Sequence, residues 1–415
     1  MEILIPISVF VPLGIVVIFA MTKGLPPEER SWVLNLLIVA FLLRATAATM
    51  FAAFPELRVF HEDAEGNEVN GMYLASVWRN EAPPIRIPET NYGFVHLAAG
   101  IYYIFGRYPV NASLFNSLLG TLMALFIYKL TKRIFHDVVA KRAALLVALM
   151  PSMIMWGSIA LKDVPVTFCI VISLSSCVAL KQKITLESLA GTFLPIMAIQ
   201  PMRFYIVYFV VFAIVASLLL DRSFNYLTGV YRQIFIVGCI AALFFLLGIA
   251  DRAESDAQYA SLEYISQYRH GMASSANSGF DADVDISQPG SALAYLPIGI
   301  AHLLLAPFPW QMVSLRPLIA APETIFWWTL VPATVRGIVF SVKNRFADTS
   351  PLIVFTTTLT AVYSLIHGNV GSAFRQRAQI LVFLFVFSAL GTCMAKARRA
   401  GIEPAKLLQL PEPTT

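Results

Sequence analysis

Trp32-Val-Leu-Asn-Leu-Leu-Ile-Val-Ala-Phe-Leu-Leu-Arg44-Ala-Thr-Ala-Ala-Thr-Met-Phe-Ala-Ala-Phe54 is a continuous apolar run in which Arg44 is the one charged residue. A helix needs about 20 apolar residues to cross the roughly 30 Å of hydrocarbon in a bilayer. Lipid offers the backbone no hydrogen-bond partners, so a crossing segment must satisfy its own polar groups as a helix. The run therefore predicts a transmembrane helix.

Comparable runs recur along the chain. Of its 415 residues, 58% are hydrophobic and 13% are charged, whereas a soluble domain carries about a quarter charged residues. We predict an all-α fold, a polytopic transmembrane helical bundle that occupies 1–415 as a single domain. About eleven spans are expected, near 3–22, 32–54, 111–130, 141–158, 163–180, 185–199, 203–220, 233–250, 322–341, 350–367 and 379–395. The number becomes thirteen if the segments 92–106 and 294–310 also cross.

Basic residues set the expected orientation. They are dispersed over short connections, which are cytoplasmic by the positive-inside rule, and their dispersal argues against a nucleic-acid partner. They include Lys129, Lys132, Arg133, Lys141, Arg142, Lys181, Lys183, Arg222, Arg232, Lys343, Arg345, Lys396, Arg398 and Arg399. The tail 396–415 is then cytoplasmic, and the long connections face outward. We call 55–110 the first outer loop and 250–321 the second, and we expect a bacterial inner membrane with the site facing the periplasm.

Both outer loops contain apolar stretches that do not fit as simple spans. The segment 92–106 is rich in tyrosine, which favours a helix that lies in the outer membrane interface. The segment 294–310 either lies in the interface or enters the membrane and returns with 311–321. Interfacial helices therefore accompany the spans in the predicted fold.

Several chemistries lack their sequence signals. The cysteines lie in apolar runs without C-x-x-C spacing, the histidines show no H-E-x-x-H spacing, and no phosphate-binding glycine loop is present. The run from Asp281 to Asp285 has acidic residues at alternate positions, which suits a divalent cation. It lacks the glycine and the distant glutamate of an EF-hand, so a solvated loop is favoured. We predict no metal and no cofactor.

The segment His61-Glu-Asp-Ala-Glu65 places a group of carboxylates just beyond the apolar run at 32–54. The stretch from Gly66 to Trp78 has apolar residues at helical spacing, and it predicts an amphipathic helix that lies against the membrane. Carboxylates at the N-terminal end of such a helix are stabilised by its dipole. An alternative reading is simple capping by Asp63 or Asn67, with the remaining charges solvated.

An ordered set of motifs follows this acidic segment. It comprises Tyr73-Leu-Ala-Ser-Val-Trp78, Ile101-Tyr-Tyr-Ile-Phe-Gly-Arg107, Asn111-Ala-Ser-Leu-Phe-Asn-Ser-Leu-Leu-Gly120, Tyr128-Lys-Leu-Thr-Lys-Arg-Ile-Phe135, Met150-Pro-Ser and Leu161-Lys-Asp-Val-Pro165. The succession resembles the GT-C superfamily of integral-membrane glycosyltransferases. Within it, the set is most similar to bacterial relatives of dolichyl-phosphate-mannose protein mannosyltransferases and lipid A aminoarabinose transferases. The resemblance is densest over 32–220 and returns at 367–391.

The resemblance implies a sugar donor carried on polyprenyl phosphate and a carboxylate base in the first outer loop. Asp63 is the best positional match for the base. Because Asn67 stands where the family often has an aromatic residue, Glu62 and Glu65 remain alternatives. The chemistry requires such a group, since an acceptor hydroxyl must lose its proton as the glycosidic bond forms.

Basic residues near the outer face are candidates for binding the donor phosphate. Arg375 and Arg377 precede the last span, and the guanidinium fork suits phosphate; anchoring to lipid headgroups or to an outer carboxylate is the alternative. Lys162 and Asp163 begin another span, where Asp163 either orients a substrate or caps the helix. Arg203 lies in a third outer turn and could meet the phosphate or the acidic loop.

The expected function is transfer of a sugar from polyprenyl phosphate to a glycan, lipid or protein acceptor, with membrane lipids as the other partners. One rival is a polysaccharide polymerase or ligase whose donor is an oligosaccharide on polyprenyl diphosphate. Another is a transporter or flippase for lipid-linked sugars, which predicts charges deep inside the spans or repeated halves; Arg44 is the clearest charge of that kind. A non-catalytic assembly subunit would tolerate the loss of Asp63.

Overall fold

A computed structural model describes residues 3–54, 56–57, 62–84, 86–87, 92–220, 234, 236–242, 248, 258–276, 278–312 and 315–401, with the backbone alone at 62, 63, 315 and 316. The all-α prediction is confirmed. The α-helices in these ranges are α1 (Leu4–Thr22), α2 (Pro27–Ala53), α3 (Glu62–Trp78), α4 (Tyr92–Phe105), α5 (Val110–Ile134), α6 (Asp137–Leu149), α7 (Pro151–Gly157), α8 (Asp163–Gln182), α9 (Leu186–Ile199), α10 (Phe204–Leu219), α11 (Leu262–Ser275), α12 (Pro289–Leu305), α13 (Leu315–Asn344), α14 (Phe346–Ile366), α15 (Val370–Gln376) and α16 (Ala378–Arg399).

The described helices support fewer spans than the eleven predicted. Seven are long and apolar enough to cross a membrane, and a bent pair, α6 and α7, raises the number to eight. The seven are α1, α2, α5, α8, α13, α14 and α16. Helices α9 and α10 have 14 and 16 residues, and at about 1.5 Å per residue they are shorter than the hydrocarbon is thick. Half of the predicted span 233–250 lies outside the described residues.

The contacts of the chain divide it into two compact units. The first unit contains Met1–Ser176, Leu186–Val207 and Lys396–Thr415, and the second contains Cys177–Thr185 and Tyr208–Ala395. The candidate residues Glu62, Asp63, Glu65, Asp163 and Arg203 belong to the first unit. The arginines at 375 and 377 belong to the second. Each unit is described by itself below.

In the first unit, the buried side chain of Arg44 reaches from α2 to the end of α6. Its guanidinium Nη1 donates to the carbonyl of Ala148 at 2.8 Å and to that of Ala40 in its own helix at 3.1 Å, and Nη2 donates to the carbonyl of Val147 at 3.1 Å. Carbonyls in the last turn of a helix have no partner within that helix. The one at Val147 would need the N–H of Pro151, which proline lacks. Arg44 therefore supplies the donors that are missing where the chain bends by 55°.

Two glycines make room for this guanidinium. A Cβ atom added at Gly120 of α5 would lie 3.1 Å from Arg44 Nε, and one added at Gly157 of α7 would lie 3.0 Å from it. Both approaches are tighter than an ordinary contact between a side chain and a guanidinium. The charge inside α2 is thus accounted for by helix packing, and it lends no support to a translocation pathway.

In the second unit, α12 ends in a similar way. Its last carbonyls receive side-chain donors from Arg377 and from two tryptophans of α13 instead of a continuing helix. The bonds are Arg377 Nη1 to Leu304 O at 3.2 Å and to Ala306 O at 2.7 Å, Trp327 Nε1 to Leu304 O at 2.8 Å, and Trp328 Nε1 to Leu305 O at 2.9 Å. The end of α12 is therefore satisfied by protein donors, as a helix that ends away from water requires.

Replacing Arg44 with methionine should destabilise the first unit. Methionine keeps much of the side-chain volume, but it leaves two carbonyls of α6 without donors, at a cost of about 1–3 kcal/mol each. We expect a fall of several degrees in the midpoint of thermal unfolding, measured on the detergent-solubilised chain. Arg336→Met is the matched control, because Arg336 is exposed on α13 and bonds only to a carbonyl of its own helix. Equal midpoints for both variants would contradict the role of Arg44.

Candidate functional site

The acidic segment of the first outer loop forms the beginning of α3. The sequence predicts a helix that starts at Gly66, whereas the observed helix starts at Glu62, so the acidic residues lie in its first turns. Glutamate and aspartate are favourable there, because the helix N-terminus carries a partial positive charge. The side chains of Glu62 and Asp63 lie outside the described part of the chain, and the capping alternative for Asp63 stays untested.

Helix α3 packs against α4 through small residues. A Cβ atom added at Gly71 would lie 3.0 Å from both Ala98 Cβ and Tyr102 Cε2, so the two helices approach closely. The buried cluster between them extends to the turn that follows α7. Its buried members are Ala64, Leu74, Ala75, Phe94, Val95, Ala98, Ala99, Tyr102, Ala112, Ile159, Ala160 and Leu161. The helical pair is therefore docked on the bundle of the first unit.

Two buried asparagines hold the turn at 158–162. Asn116 of α5 donates through Nδ2 to the carbonyls of Ile159 at 2.7 Å and of Leu161 at 2.9 Å. Asn67 of α3 donates through Nδ2 to the carbonyl of Ala160 at 3.4 Å. The carbonyls of residues 159 and 161 thus accept from α5, and the carbonyl between them accepts from α3. From the sequence, Asn67 is expected only as a helix cap or as a departure from the family pattern, and its bond to this turn is not foreseen.

A cavity of about 310 Å³ lies between the end of α2, the start of α3 and this turn. Glu65 and Glu68 line it together with Ser113 and Ser158. The rest of the lining is apolar and consists of Ile3, Ala48, Phe51, Ala52, Val69, Met72, Pro109, Val110 and Ile159. Glu65 is a predicted base, so the structure places one predicted catalytic residue on a cavity wall. No lysine or arginine belongs to the lining as the structure describes it.

Glu68 is a lining residue that is absent from the site predicted from the sequence. The signal for it was present, because residues three and four apart share one side of a helix. Glu65, Glu68, Val69 and Met72 fit that spacing, and all of them line the cavity. Together with Ser113 and Ser158, the two glutamates give the cavity two carboxylates and two hydroxyls within otherwise apolar walls.

Asp163 and Arg203, both predicted to bind substrate, form a buried ion pair in the first unit. Arg203 Nη2 donates to Asp163 Oδ1 at 2.6 Å, and the side chains are 4% and 7% exposed, respectively. Arg203 Nη1 also donates to the hydroxyl of Tyr205 at 3.2 Å. Removing one member of a buried pair strands the other charge, which commonly costs about 3–5 kcal/mol. The pair joins the start of α8 to the start of α10, and Lys162 lies beside it, partly buried.

The turn before Arg203 also contacts α4. The backbone N–H of Gly93 donates to the carbonyl of Pro201 at 3.0 Å. A Cβ atom at position 93 would come within 2.7 Å of the Pro201 backbone, so glycine permits this approach. The helices of the first outer loop are thus attached both to the 158–162 turn and to the turn that leads into the ion pair.

In the second unit, the segment before the arginines at 375 and 377 is paired with the second outer loop. Phe280 N–H donates to the carbonyl of Gly368 at 2.9 Å, and Val370 N–H donates to the carbonyl of Ser278 at 3.0 Å. The side chain of Asn369 accepts from Gly371 N–H at 2.8 Å and so caps α15. These bonds fix the course of the backbone immediately before Arg375.

Arg269 of α11 organises the same loop from inside. It is fully buried and donates to the carbonyl of Asp281 at 2.7 Å and to the hydroxyl of Tyr295 at 2.8 Å. The Tyr295 hydroxyl in turn donates to Asp281 Oδ2 at 2.9 Å. The Asp281 carboxylate is therefore part of an internal network. Nothing in the sequence pattern singles out Arg269, because a lone arginine in a polar stretch is usually exposed.

Asp285, at the other end of the acidic run, is bonded within its own loop. Its Oδ1 accepts from Ser287 N–H at 2.8 Å and from the Ser266 hydroxyl at 3.0 Å. Hydrogen bonds from Ser287, with that from Ser266, hold the pKa of Asp285 below its ordinary value. Among the residues that the structure describes, no group of three or more His, Cys, Asp or Glu side chains is arranged to hold a metal ion.

The two arginines predicted to bind phosphate have different surroundings. Arg377 is 1% exposed; it bonds to the carbonyls of α12 described above and interacts electrostatically with the buried Glu323. Arg375 lies in the last turn of α15 and is partly exposed. The side chain at 375 is thus accessible from solvent, whereas the one at 377 is enclosed by protein.

Residues 92–249 match the family described as dolichyl-phosphate-mannose-protein mannosyltransferase. Among solved structures, the fold is similar to the archaeal oligosaccharyltransferase AglB from Archaeoglobus fulgidus in complex with an inhibitory peptide and a dolichol-phosphate, with a TM-score of 0.50 and 12% identity. That comparison covers 91% of this chain and 52% of the archaeal one.

The apo form of the Archaeoglobus fulgidus oligosaccharyltransferase gives a TM-score of 0.49 at 12% identity, over 90% of this chain and 52% of that one. The chain therefore spans about half the length of these structures, and identity at this level speaks to the fold alone. No curated protein sequence matches the chain. The family match covers 158 of the 415 residues, so the comparisons show a likeness of this part of the sequence to that family and a likeness of the fold to the archaeal structures.

Proposed function

We propose that the chain transfers a sugar from a polyprenyl-phosphate carrier to an acceptor hydroxyl on the outer face of the membrane. The observation that carries this proposal is the cavity at the start of α3, where carboxylates and serine hydroxyls meet within apolar walls. The description of the matching family supports a donor carried on a polyprenyl phosphate. The acceptor is a glycan, a lipid or a protein.

The proposed reaction is a single displacement at the anomeric carbon. The acceptor oxygen forms a bond to that carbon while the bond to the phosphate oxygen breaks, so the carrier leaves as polyprenyl phosphate. A carboxylate takes the proton of the acceptor hydroxyl as the new bond forms. One base is sufficient, and the anomeric configuration inverts. Asp63 is the proposed base, with Glu62 and Glu65 as the alternatives.

The surroundings of α3 suit the work of a base. Position 63 lies one helical turn before Asn67, which bonds to the 158–162 turn, and Glu65 lines the cavity itself. The lining of the cavity, as far as the structure describes it, includes two carboxylates and no lysine or arginine. We propose that Lys162, Asp163 and Arg203 orient the substrate. Lys162 ends the 158–162 turn, Asp163 follows it directly, and Arg203 pairs with Asp163.

For the donor phosphate, we propose Arg375 as the principal ligand. The leaving phosphate gains negative charge as the bond to the sugar breaks, and a guanidinium stabilises that charge. Arg377 follows it at the end of the same short helix, and its Nη1 is already bonded to carbonyls of α12. Its proposed contribution to the phosphate is therefore secondary to its support of α12.

Asp63→Asn should abolish transfer while donor binding is retained. Asparagine keeps the shape of aspartate but cannot accept the proton, and loss of a general base costs about 10²–10⁴-fold in rate. Transfer would be measured from a panel of polyprenyl-phosphate sugars in membranes with matched expression. Glu62→Gln and Glu65→Gln test the alternative bases.

Glu81→Gln is the matched control for this series, because Glu81 lies in the same loop but pairs with Arg107 on the surface. Full activity in Asp63→Asn, with loss in one of the two glutamine variants, would move the base to that residue. Full activity in all three would refute a carboxylate base on α3. No transfer by the wild type from any donor would refute the proposed function.

Arg375→Ala should raise the KM for the donor, since it removes a charge from the leaving phosphate while the fold is kept. Arg377→Ala should instead lower the midpoint of thermal unfolding, because the carbonyls at the end of α12 lose a donor. Donor kinetics and thermal unfolding would be measured on both variants, with Arg375→Lys as the conservative comparison. An unchanged donor KM in Arg375→Ala would remove Arg375 from the donor site.

A further inference from the structure

Three tyrosines form an exposed aromatic surface at the beginning of α11. Tyr259, Tyr264 and Tyr268 are 46%, 40% and 50% exposed. The rings of Tyr259 and Tyr264 meet edge to face with centroids 5.1 Å apart, and those of Tyr264 and Tyr268 are nearly parallel, at 15°, with centroids 6.3 Å apart. We call these residues the tyrosine face. Aromatic rings that are ordered against one another yet open to solvent are a ready contact surface.

The aliphatic residues of α11 lie on the opposite side of the helix, where they are packed against the protein. Leu262 and Ile265 pack on a buried cluster with Ile286 and Tyr295, and Arg269 points into the network with Asp281. The exposed residues of the helix are Glu263, Tyr264, Gln267, Tyr268, His270, Gly271, Ser274 and Ser275. The tyrosine face is therefore the one sizeable nonpolar feature on the exposed side of this helix, and its neighbours are polar.

This composition is selective about what the face can bind. A helix that lies on lipid needs a broad apolar face and, for anionic headgroups, exposed lysine or arginine; the exposed side of α11 has no exposed lysine or arginine, and Glu263, Gln267 and His270 lie beside its tyrosines. Binding of a phosphate would need an available cation, and the arginine of this helix is buried and bonded. A neutral sugar is complementary to this surface. Its nonpolar C–H faces can contact the tyrosine rings, and its hydroxyl groups can bond to the tyrosine hydroxyls, Gln267 and the serines.

The face is also firmly attached to the proposed donor-phosphate segment within the second unit. A Cβ atom added at Gly368 would lie 2.6 Å from the carbonyl oxygen of Arg269, so α11 and the 367–371 segment are in close backbone contact. That segment leads directly into α15 and Arg375. A ligand on the tyrosine face would thus contact the same unit that carries the proposed phosphate ligand.

We propose that the tyrosine face binds a neutral oligosaccharide, which is the acceptor of the proposed transfer. The role of the oligosaccharide as acceptor rests on the proposed function, whereas its binding to the tyrosine face is independent of that function. Two successive ring spacings of 5.1 and 6.3 Å allow contact with more than one sugar unit, which favours a glycan chain over a single monosaccharide.

The test measures binding without any donor. Short neutral homo-oligosaccharides of glucose, mannose and galactose would be titrated against the full chain in nanodiscs, with saturation-transfer NMR as the readout. Tyr264→Ser/Tyr268→Ser should weaken binding by at least about tenfold, as expected for loss of aromatic anchors. Tyr264→Phe/Tyr268→Phe should keep most of it, because the rings remain.

Tyr92→Ser/Tyr103→Ser is the matched control, because these tyrosines of the first unit are 49% and 45% exposed; binding should be unchanged. Absence of binding by every oligosaccharide, or equal affinity in the Tyr264→Ser/Tyr268→Ser variant, would overturn the proposal. So would loss of binding to phosphatidylglycerol vesicles or to a protein acceptor in that variant without any effect on saccharides.

The two proposals fail separately. Saccharide binding that depends on Tyr264 and Tyr268, in a chain that transfers no sugar from any donor, would remove the proposed function and leave the saccharide site. Active transfer to protein or lipid, with no saccharide bound, would remove the saccharide site and leave the proposed function.

Discussion

A buried backbone carbonyl must have a donor, and this requirement governs the places where two helices of this chain bend or stop. The residues concerned are enclosed by protein, since Val147, Ala148 and Ala306 are at most 3% exposed, and a buried carbonyl that is left unpaired costs about 1–3 kcal/mol. Long side chains from neighbouring helices therefore take over. Arg44 does so at the bend between α6 and α7, and Arg377 does so at the end of α12. In both places a proline follows closely, so the helix cannot repair the loss itself.

The bend supported by Arg44 has a direct consequence for the candidate site. It redirects the chain into α7 and then into the turn at 158–162, whose carbonyls bond to Asn67 and Asn116. That turn lines the cavity with Ser158 and leads into Asp163. Arg44 thus supports the bend between α6 and α7, and Asn67 and Asn116 hold the turn that follows. Together they keep this irregular backbone beside the carboxylates of α3.

Much of the fold could be predicted from the sequence, because apolar runs report directly on helices in lipid. The all-α class and the GT-C resemblance followed from those runs and from the order of short motifs. The number of spans stays a prediction, since seven described helices, or eight with the bent pair, are long and apolar enough to cross, α9 and α10 have only 14 and 16 residues, and half of 233–250 is not described. For the site, the acidic start of α3 and the role of Glu65 as a lining residue were accessible through helical spacing. The pairing of Asp163 with Arg203 was not, because forty residues of sequence separate partners that only tertiary packing brings together.

The contacts around Arg44 also constrain how this chain can vary. Gly120, Gly157 and Arg44 occupy one space, and a methyl group at either glycine would press on the guanidinium. Neither glycine can therefore be enlarged while Arg44 is kept. A lineage that enlarged residue 120 or 157 would first have to shorten residue 44, and it would then need another donor for the end of α6. A sequence with a larger residue at 120 or 157 should accordingly carry a shorter residue at 44.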